Sequence, residues 1–298
     1  MSVTEKLKEY SLRFNNCLPD YFPMPQGNEK RVAEAMRYSV MNGGKRLRPF
    51  LVAETGKLFG LDFEQTINTA VALECLHSYS LIHDDLPAMD NDDLRRGKPT
   101  CHKAFDEATA ILAGDGLLTY AFELLAQEKT HPDASIRNKL ISALARGAGA
   151  FDGMVAGQML DLLAEENKTD LEPEKLINHI EEMKTGRLIS FACQAGAVLG
   201  QAPQTQSLAL HNYSRGIGIA FQITDDILDV TGNQKLMGKT LRKDDAQGKL
   251  TFVNLYGLDK ARLIATDLIK SAQQALNIFG SKADTLNELA QFILERNH

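Results

Sequence analysis

Two acidic clusters embedded in apolar, helix-forming sequence constrain this chain more than any other feature. The first is Asp84-Asp85-Leu86-Pro87-Ala88-Met89-Asp90, entered from Tyr79-Ser80-Leu81-Ile82. The second is Asp225-Asp226-Ile227-Leu228-Asp229, entered from Ile219-Ala220-Phe221-Gln222-Ile223. Carboxylates crowded among apolar neighbours repel one another and resist leaving water, so both clusters need cations. All-oxygen donors suit a hard ion such as Mg²⁺, which takes one or two carboxylates and completes its shell with substrate phosphates. Two such clusters facing each other would clamp a metal-bound diphosphate.

Helical periodicity dominates the rest of the chain, and nothing alternates convincingly with a period of two. The sequence predicts a helix from Asn28 to about Asn42, stopped by Gly43-Gly44, and another from Pro49 to Gly60. Residues 65–85 are apolar nearly all round, as in a helix buried in a bundle. Further helices are expected near 103–128, 134–163, 173–200, 204–230, 245–278 and 284–296. The breaks between them hold no long linker, repeat or low-complexity tract. The reading is one all-α domain over residues 1–298, with long central helices carrying the site.

Helix geometry treats the two clusters differently. At about 100° per residue, Asp225 and Asp229 share one face, roughly 40° apart, with Asp226 adjacent. Asp84 and Asp90 would lie about 120° apart on an ideal helix. Pro87 removes a backbone donor and clashes with the carbonyl of His83, so the helix should end or bulge there and swing Asp90 back towards Asp84. His77, seven residues before Asp84, shares its face.

The 298 residues hold 33 Lys+Arg against 39 Asp+Glu, a net charge of −6, which argues against general nucleic-acid binding. Basic residues cluster locally instead, at Lys45, Arg46 and Arg48 and at Arg95 and Arg96, with Lys239 and Lys249 after the second acidic cluster. An Arg fork matches phosphate oxygens. Together these residues suggest two anion sites, one held through metals and one by cations alone. Cys17, Cys75, Cys101 and Cys193 fit no zinc spacing. The start lacks a secretory pattern, and no apolar run reaches the roughly 18 residues of a membrane span, so a cytoplasmic protein is expected.

Several stretches resemble the trans-isoprenyl diphosphate synthases, most closely the bacterial farnesyl diphosphate synthases. They are Gly43-Gly44-Lys45-Arg46-Leu47-Arg48-Pro49, the first cluster with Asp92-Asp93-Leu94-Arg95-Arg96-Gly97, Lys184-Thr185-Gly186, the second cluster from Phe221, and Gly238-Lys239. The resemblance covers nearly the whole chain, and both aspartate motifs at this separation make it specific. It implies an all-α bundle of long antiparallel helices around a deep central cavity, a homodimer, and three Mg²⁺ ions. The implied reaction condenses isopentenyl diphosphate with dimethylallyl and geranyl diphosphate to give (2E,6E)-farnesyl diphosphate.

By the same resemblance, Asp84, Asp85 and Asp90 form the first metal set, and Asp225, with Asp229, the second. Lys45, Arg48, His77 and Arg96 would hold isopentenyl diphosphate. Arg95, Lys184, Lys239 and Lys249 would hold the allylic diphosphate. Thr185 and Gln222 would lie near the developing allylic cation. Tyr79 and Ser80, about 6–7.5 Å along the helix from Asp84, would floor the cavity and set product length. A bulky residue there, with the Pro87-Ala88 insertion, favours fifteen carbons over twenty.

Asn91 departs from a common Asp, Phe252-Val253 from a common Tyr-Pro, and Arg296-Asn297-His298 ends in His where Lys or Arg is frequent. Geranyl or geranylgeranyl diphosphate synthesis is the nearest alternative, and a non-catalytic regulatory subunit is one of a different class. A terpene cyclase would have no use for a second diphosphate site, and a regulatory subunit would be expected to lose metal ligands that are present here.

Overall fold

The computed structural model describes residues 1–166, 168–231 and 250–296. The expected all-α class is correct: the described chain is helical apart from one two-stranded hairpin. Contacts within the chain group into two compact units.

The first unit comprises Met1–Ala53 and Asp62–Ile141. It holds α1 (Val3–Tyr21), α2 (Lys30–Val40), the start of α3 (Leu47–Lys57), α4 (Phe63–Asp84), β1 (Leu94–Arg95), β2 (Lys98–Pro99), α5 (Cys101–Ala104), α6 (Glu107–Ala126) and the start of α7 (Ala134–Ala148). A capping box starts α4: the Asp62 carboxylate accepts from the Gln65 backbone N–H at 2.9 Å, and the Gln65 side chain accepts from the Asp62 N–H at 3.0 Å. The helix then buries residues on every side, including Ile67, Val71, Leu73, Leu76 and Ile82, and packs along α6. Inside this core Arg46 pairs with Glu74, and its guanidinium also donates to Val40 O at 2.7 Å and Asn15 Oδ1 at 2.9 Å. Both side chains are buried, so this member of the basic cluster anchors structure.

The second unit comprises Glu54–Leu61 and Ser142–His298. Within it lie α8 (Met154–Glu165), α9 (Pro173–Ile180), a π-helical turn (Glu181–Gly186), α10 (Arg187–Leu199), α11 (Gln204–Thr231), α12 (Phe252–Tyr256), α13 (Leu258–Ala275), a 3₁₀ segment (Leu276–Ala283) and α14 (Asp284–Glu295). α11 packs against α10 and α13 and carries the second acidic cluster in its last two turns. Tyr213, fully buried, ties α11 to α14 by donating to Leu286 O at 2.8 Å.

Several expectations need correction. The helix expected over 134–163 is two, because Gly153 folds back so tightly that a Cβ would overlap backbone atoms of Gly149 and Arg146. The described part of the 245–278 helix is broken at Gly257, whose φ of 78° leaves the helical region. The sequence reading missed α1, although Val3, Leu7, Tyr10, Phe14, Leu18 and Tyr21 form its buried stripe. It also missed the hairpin, whose turn places Arg96 and Gly97 at φ 54° and 75°, as a primed turn requires. Finally, α6 is long and apolar enough for a membrane span by length and composition, with 44% of that stretch buried. Its packing against α4 and its Glu107, Asp115 and Glu123 favour a core helix.

The close approach of α10 to Thr55 and Gly56 depends on Gly196, where a Cβ would overlap Thr55 Oγ1 and the Gly56 amide. Gly196→Ala is therefore expected to destabilise the protein by about 1–3 kcal/mol, measured by urea denaturation. An unchanged midpoint would mean that the two segments can separate without loss.

Candidate active site

Pro87 acts as the sequence analysis expected. α4 ends at Asp84, and the loop that follows closes on itself: the Asp90 N–H donates to Asp84 O at 2.8 Å. Asn91 N donates to Leu86 O at 3.1 Å, with Asn91 at φ 48°, a left-handed conformation that Asn tolerates better than most residues. Asp84 and Asp90 are thus brought together, both partly exposed. Asp85 differs. It is 2% exposed, and its carboxylate accepts from Arg95 Nε at 2.8 Å and from Arg95 Nη2 at 2.6 Å. Burial pushes the Asp85 carboxyl up, against the pull of Arg95, while the same pair raises Arg95. Of the first three aspartates, two are partly exposed with their backbones joined, and the third fixes an arginine.

Four arginines of this unit act on His77. Arg48 Nη1 lies 3.5 Å from His77 Nε2. Burial, and then the charges of Arg48, Arg96, Arg95 and Arg46, hold the imidazole well below its usual pKa. His77 is therefore neutral amid four guanidiniums, an environment that favours an anion. Arg96 donates to Gly43 O, and a Cβ on Gly44 would overlap its guanidinium. The two glycines, at φ 78° and 111°, thus admit Arg96 itself. Lys45 is exposed on the same turn. Tyr79 is partly buried, with its ring edge-on to His83 at 4.9 Å, and Ser80 Oγ donates to His77 O at 2.8 Å. Ser39, Asn42, Ser78, Asp85 and Arg95 help line a cavity of about 20 Å³, room for one water.

In the second unit the π-helical turn lies beside α8 and α11. Such turns are rare and frequent at functional sites. This one fits because α8 offers Gly157, where a Cβ would overlap the Lys184 backbone. Lys184 Nζ then meets Asp161 of α8 at 2.5 Å. Thr185 Oγ1 donates to Gln222 Oε1 at 3.4 Å, and Gln222 Nε2 donates to Asp226 Oδ1 at 3.3 Å. Asp226 Oδ2 accepts the Phe252 N–H at 2.9 Å. Asp226 and Asp229 are buried at 4% and 3%, whereas Asp225 is a third exposed and pairs with Arg296 at 2.9 Å. The structure thus brings Thr185 and Gln222 into contact. Lys239 and Lys249 lie outside the described residues.

Sequence reasoning missed Asp161, Glu181 and the pairing of Arg296. Asp161 was visible as a lone carboxylate in an apolar helical stretch, Met154–Leu163. Glu181, 8% exposed, is pushed well up by burial and then by Asp226 and Asp161. Nothing in its own position distinguished it from a solvated helix residue.

Among the described residues, no three His, Cys, Asp or Glu side chains converge to hold an ion alone. That suits Mg²⁺, for which one or two carboxylates suffice when phosphate oxygens complete the shell. Asp84 with Asp90, and Asp225, provide such hard, partly exposed donors.

The polyprenyl synthetase family matches residues 29–292. Over 304 aligned residues, covering all of both chains, the sequence is 44% identical to a farnesyl diphosphate synthase of Escherichia coli (strain K12). It is 41% identical to a geranylgeranyl diphosphate synthase of Cyanophora paradoxa, covering 92% of this chain and 91% of the other. An apo structure of an FPP/GFPP synthase from Zymomonas mobilis superposes with a TM-score of 0.88 at 43% identity, over 98% of each chain.

The neutral His77 makes folding pH-dependent. Its folded pKa lies below the unfolded value of about 6.5, so the unfolded chain binds the extra proton and stability falls as pH drops below about 6.5. This contribution is at most about 1.4 kcal/mol per pH unit. Subtracting a His77→Gln denaturation series from wild type should isolate that slope between pH 6.5 and 5. Parallel curves would mean that His77 protonates freely in the fold.

Proposed function

A chain matched over residues 29–292, and 44% identical end to end to one member, belongs to the polyprenyl synthetase family; from that premise we infer a short-chain prenyltransferase that forms farnesyl diphosphate. The observation that carries the site reading is the loop closure of Asp90 onto Asp84, beside an arginine group built around a neutral histidine. We read both units as parts of one synthase domain, because the family match runs through both.

The reaction joins isopentenyl diphosphate to an allylic diphosphate. The allylic C–O bond ionises, the isopentenyl double bond attacks the cation, and a proton leaves to the departed diphosphate. Bound Mg²⁺ would supply charge neutralisation on the leaving group, and Asp84 with Asp90, and Asp225 with Asp229, are the residues that would hold it. We assign Arg48, Arg96, Lys45 and neutral His77 to isopentenyl diphosphate. Arg95, oriented by Asp85, and Lys184, oriented by Asp161, are assigned to the allylic diphosphate, together with Lys239 and Lys249. The donors of Arg95 and Lys184 are fixed before the reaction, so charge developing on the leaving oxygens meets oriented dipoles. Thr185 and Gln222 offer oxygens to the developing cation, and the hydrogen bonds of Gln222 to Thr185 and Asp226 orient its amide.

Three ions and a cytoplasmic location belong to the same reading. A homodimer is supported by α6, which exposes Ile111 and Leu112 at 45% and 55%. We read α6 as a packed helix of that dimer and not as a membrane span.

Product length supplies the test. Tyr79 is on α4, five residues before Asp84, and carries a ring that an alkyl tail running along this helix would meet. Wild type incubated with isopentenyl diphosphate and dimethylallyl or geranyl diphosphate should give a C15 product by chromatography. Tyr79→Ala, given farnesyl diphosphate as primer, should extend it to C20, with the first condensation slowed less than tenfold. A C20 product from wild type would make the chain a geranylgeranyl diphosphate synthase. A C15 limit kept by the variant would remove Tyr79 from the cavity floor.

A further inference from the structure

Arg296 follows the last helix in an extended conformation, at φ −62° and ψ 144°, yet its guanidinium is buried. It donates to Asp225 Oδ1 at 2.9 Å and to Phe221 O at 2.5 Å, and stacks on the Phe221 ring at 3.8 Å. Its Nε is buried and has no hydrogen-bond partner among the described residues. The cation thus rests on the aspartate that leads the second cluster, one turn along α11 from Phe221.

We propose that Arg296 is a displaceable counter-ion of Asp225, neutralising it in the metal-free protein and leaving it when a divalent cation binds. This rests on the reading of Asp225 as a metal ligand. Asp225 stands beside Asp226 and Asp229, both buried. Neighbouring carboxylates repel one another, and Arg296 offsets that repulsion at Asp225 when no metal is bound.

A divalent cation on Asp225 would stand within a few ångströms of the guanidinium, because its bonds to carboxylate oxygen are about 2.0–2.1 Å long. Arginine cannot relieve the repulsion by losing its proton. Besides Asp225 it is held by the Phe221 carbonyl and ring and by a backbone bond to Phe292 O, while its Nε has no hydrogen-bond partner among the described residues. Once Asp225 is committed to a metal, a buried and partly unsatisfied guanidinium is unfavourable, and the side chain returns to water. The turn after α14 would then change position with metal occupancy, and metal affinity would carry the cost of displacing Arg296.

Two readouts test this without relying on turnover. Mn²⁺ binding to the full chain would be titrated by electron paramagnetic resonance with inorganic diphosphate present. Arg296→Gln should bind Mn²⁺ roughly tenfold more tightly than wild type, within the range of ordinary coupling between sites. Trypsin cleavage after Arg296, followed by mass spectrometry, should be slow in the metal-free wild type and accelerate when Mn²⁺ and diphosphate are added. Equal or weaker Mn²⁺ binding by Arg296→Gln, or cleavage slowed by metal, would overturn the proposal and make Arg296 a support of the metal-bound state. Asp225→Asn separates the two layers. If it binds Mn²⁺ as wild type does, Asp225 is not a ligand, and the reading beneath the proposal fails.

Discussion

The compensation of desolvated carboxylates by fixed cations is the constraint on which the rest of the site depends. Asp85 with Arg95, Asp161 with Lys184 and Asp225 with Arg296 repeat one solution. Removing Arg95 would leave buried Asp85 uncompensated, at a cost of about 3–5 kcal/mol, so that pair also locks its cation, whereas Asp225, a third exposed, holds Arg296 less firmly. Buried Arg46 with Glu74 shows the same device used for structure alone. Arg95 and Lys184 therefore come already oriented, and Asp84 and Asp90 are the more exposed carboxylates of the first cluster.

Departures from regular helix put these groups where they can act. Pro87 ends α4 at Asp84 and returns Asp90 to it; the π-helical turn delivers Lys184 to Asp161 and Thr185 to Gln222. The Arg96-Gly97 turn, with both residues at positive φ, follows Arg95 as it reaches Asp85. Each departure rests on a residue that permits it: a proline, a glycine at 157 facing the turn, or a glycine at 44 facing Arg96. Regular helices carry His77, Asp161, Gln222 and the second acidic cluster, and their interruptions bring Asp90, Arg95, Arg96 and Lys184 to partner groups.

Much of this was legible from the residues. Apolar periodicity gave α4, α6 and α11, and the 100° rule placed Asp225 and Asp229 together. Pro87 foretold the break after Asp84, because its effect is local. What escaped was non-local. No pattern near Glu181 announces that six residues will wind into a π turn, since that depends on Gly157 in another helix. Arg46 and Arg48 are alike in sequence, yet one meets Glu74 in the core and the other His77, and only tertiary packing separates them. Gly149 and Gly153 looked like tolerated helix glycines until their backbones were seen in contact.

The central claim is that the two aspartate clusters are metal ligands completed by a diphosphate. Crystals grown with Mn²⁺ and inorganic diphosphate, and measured for anomalous scattering, test it most directly. Anomalous peaks should lie about 2.0–2.3 Å from carboxylate oxygens of Asp84 and Asp90 and of Asp225, each shared with a diphosphate oxygen. Diphosphate bound by arginines and lysines alone, with no anomalous peak at either cluster, would contradict the account.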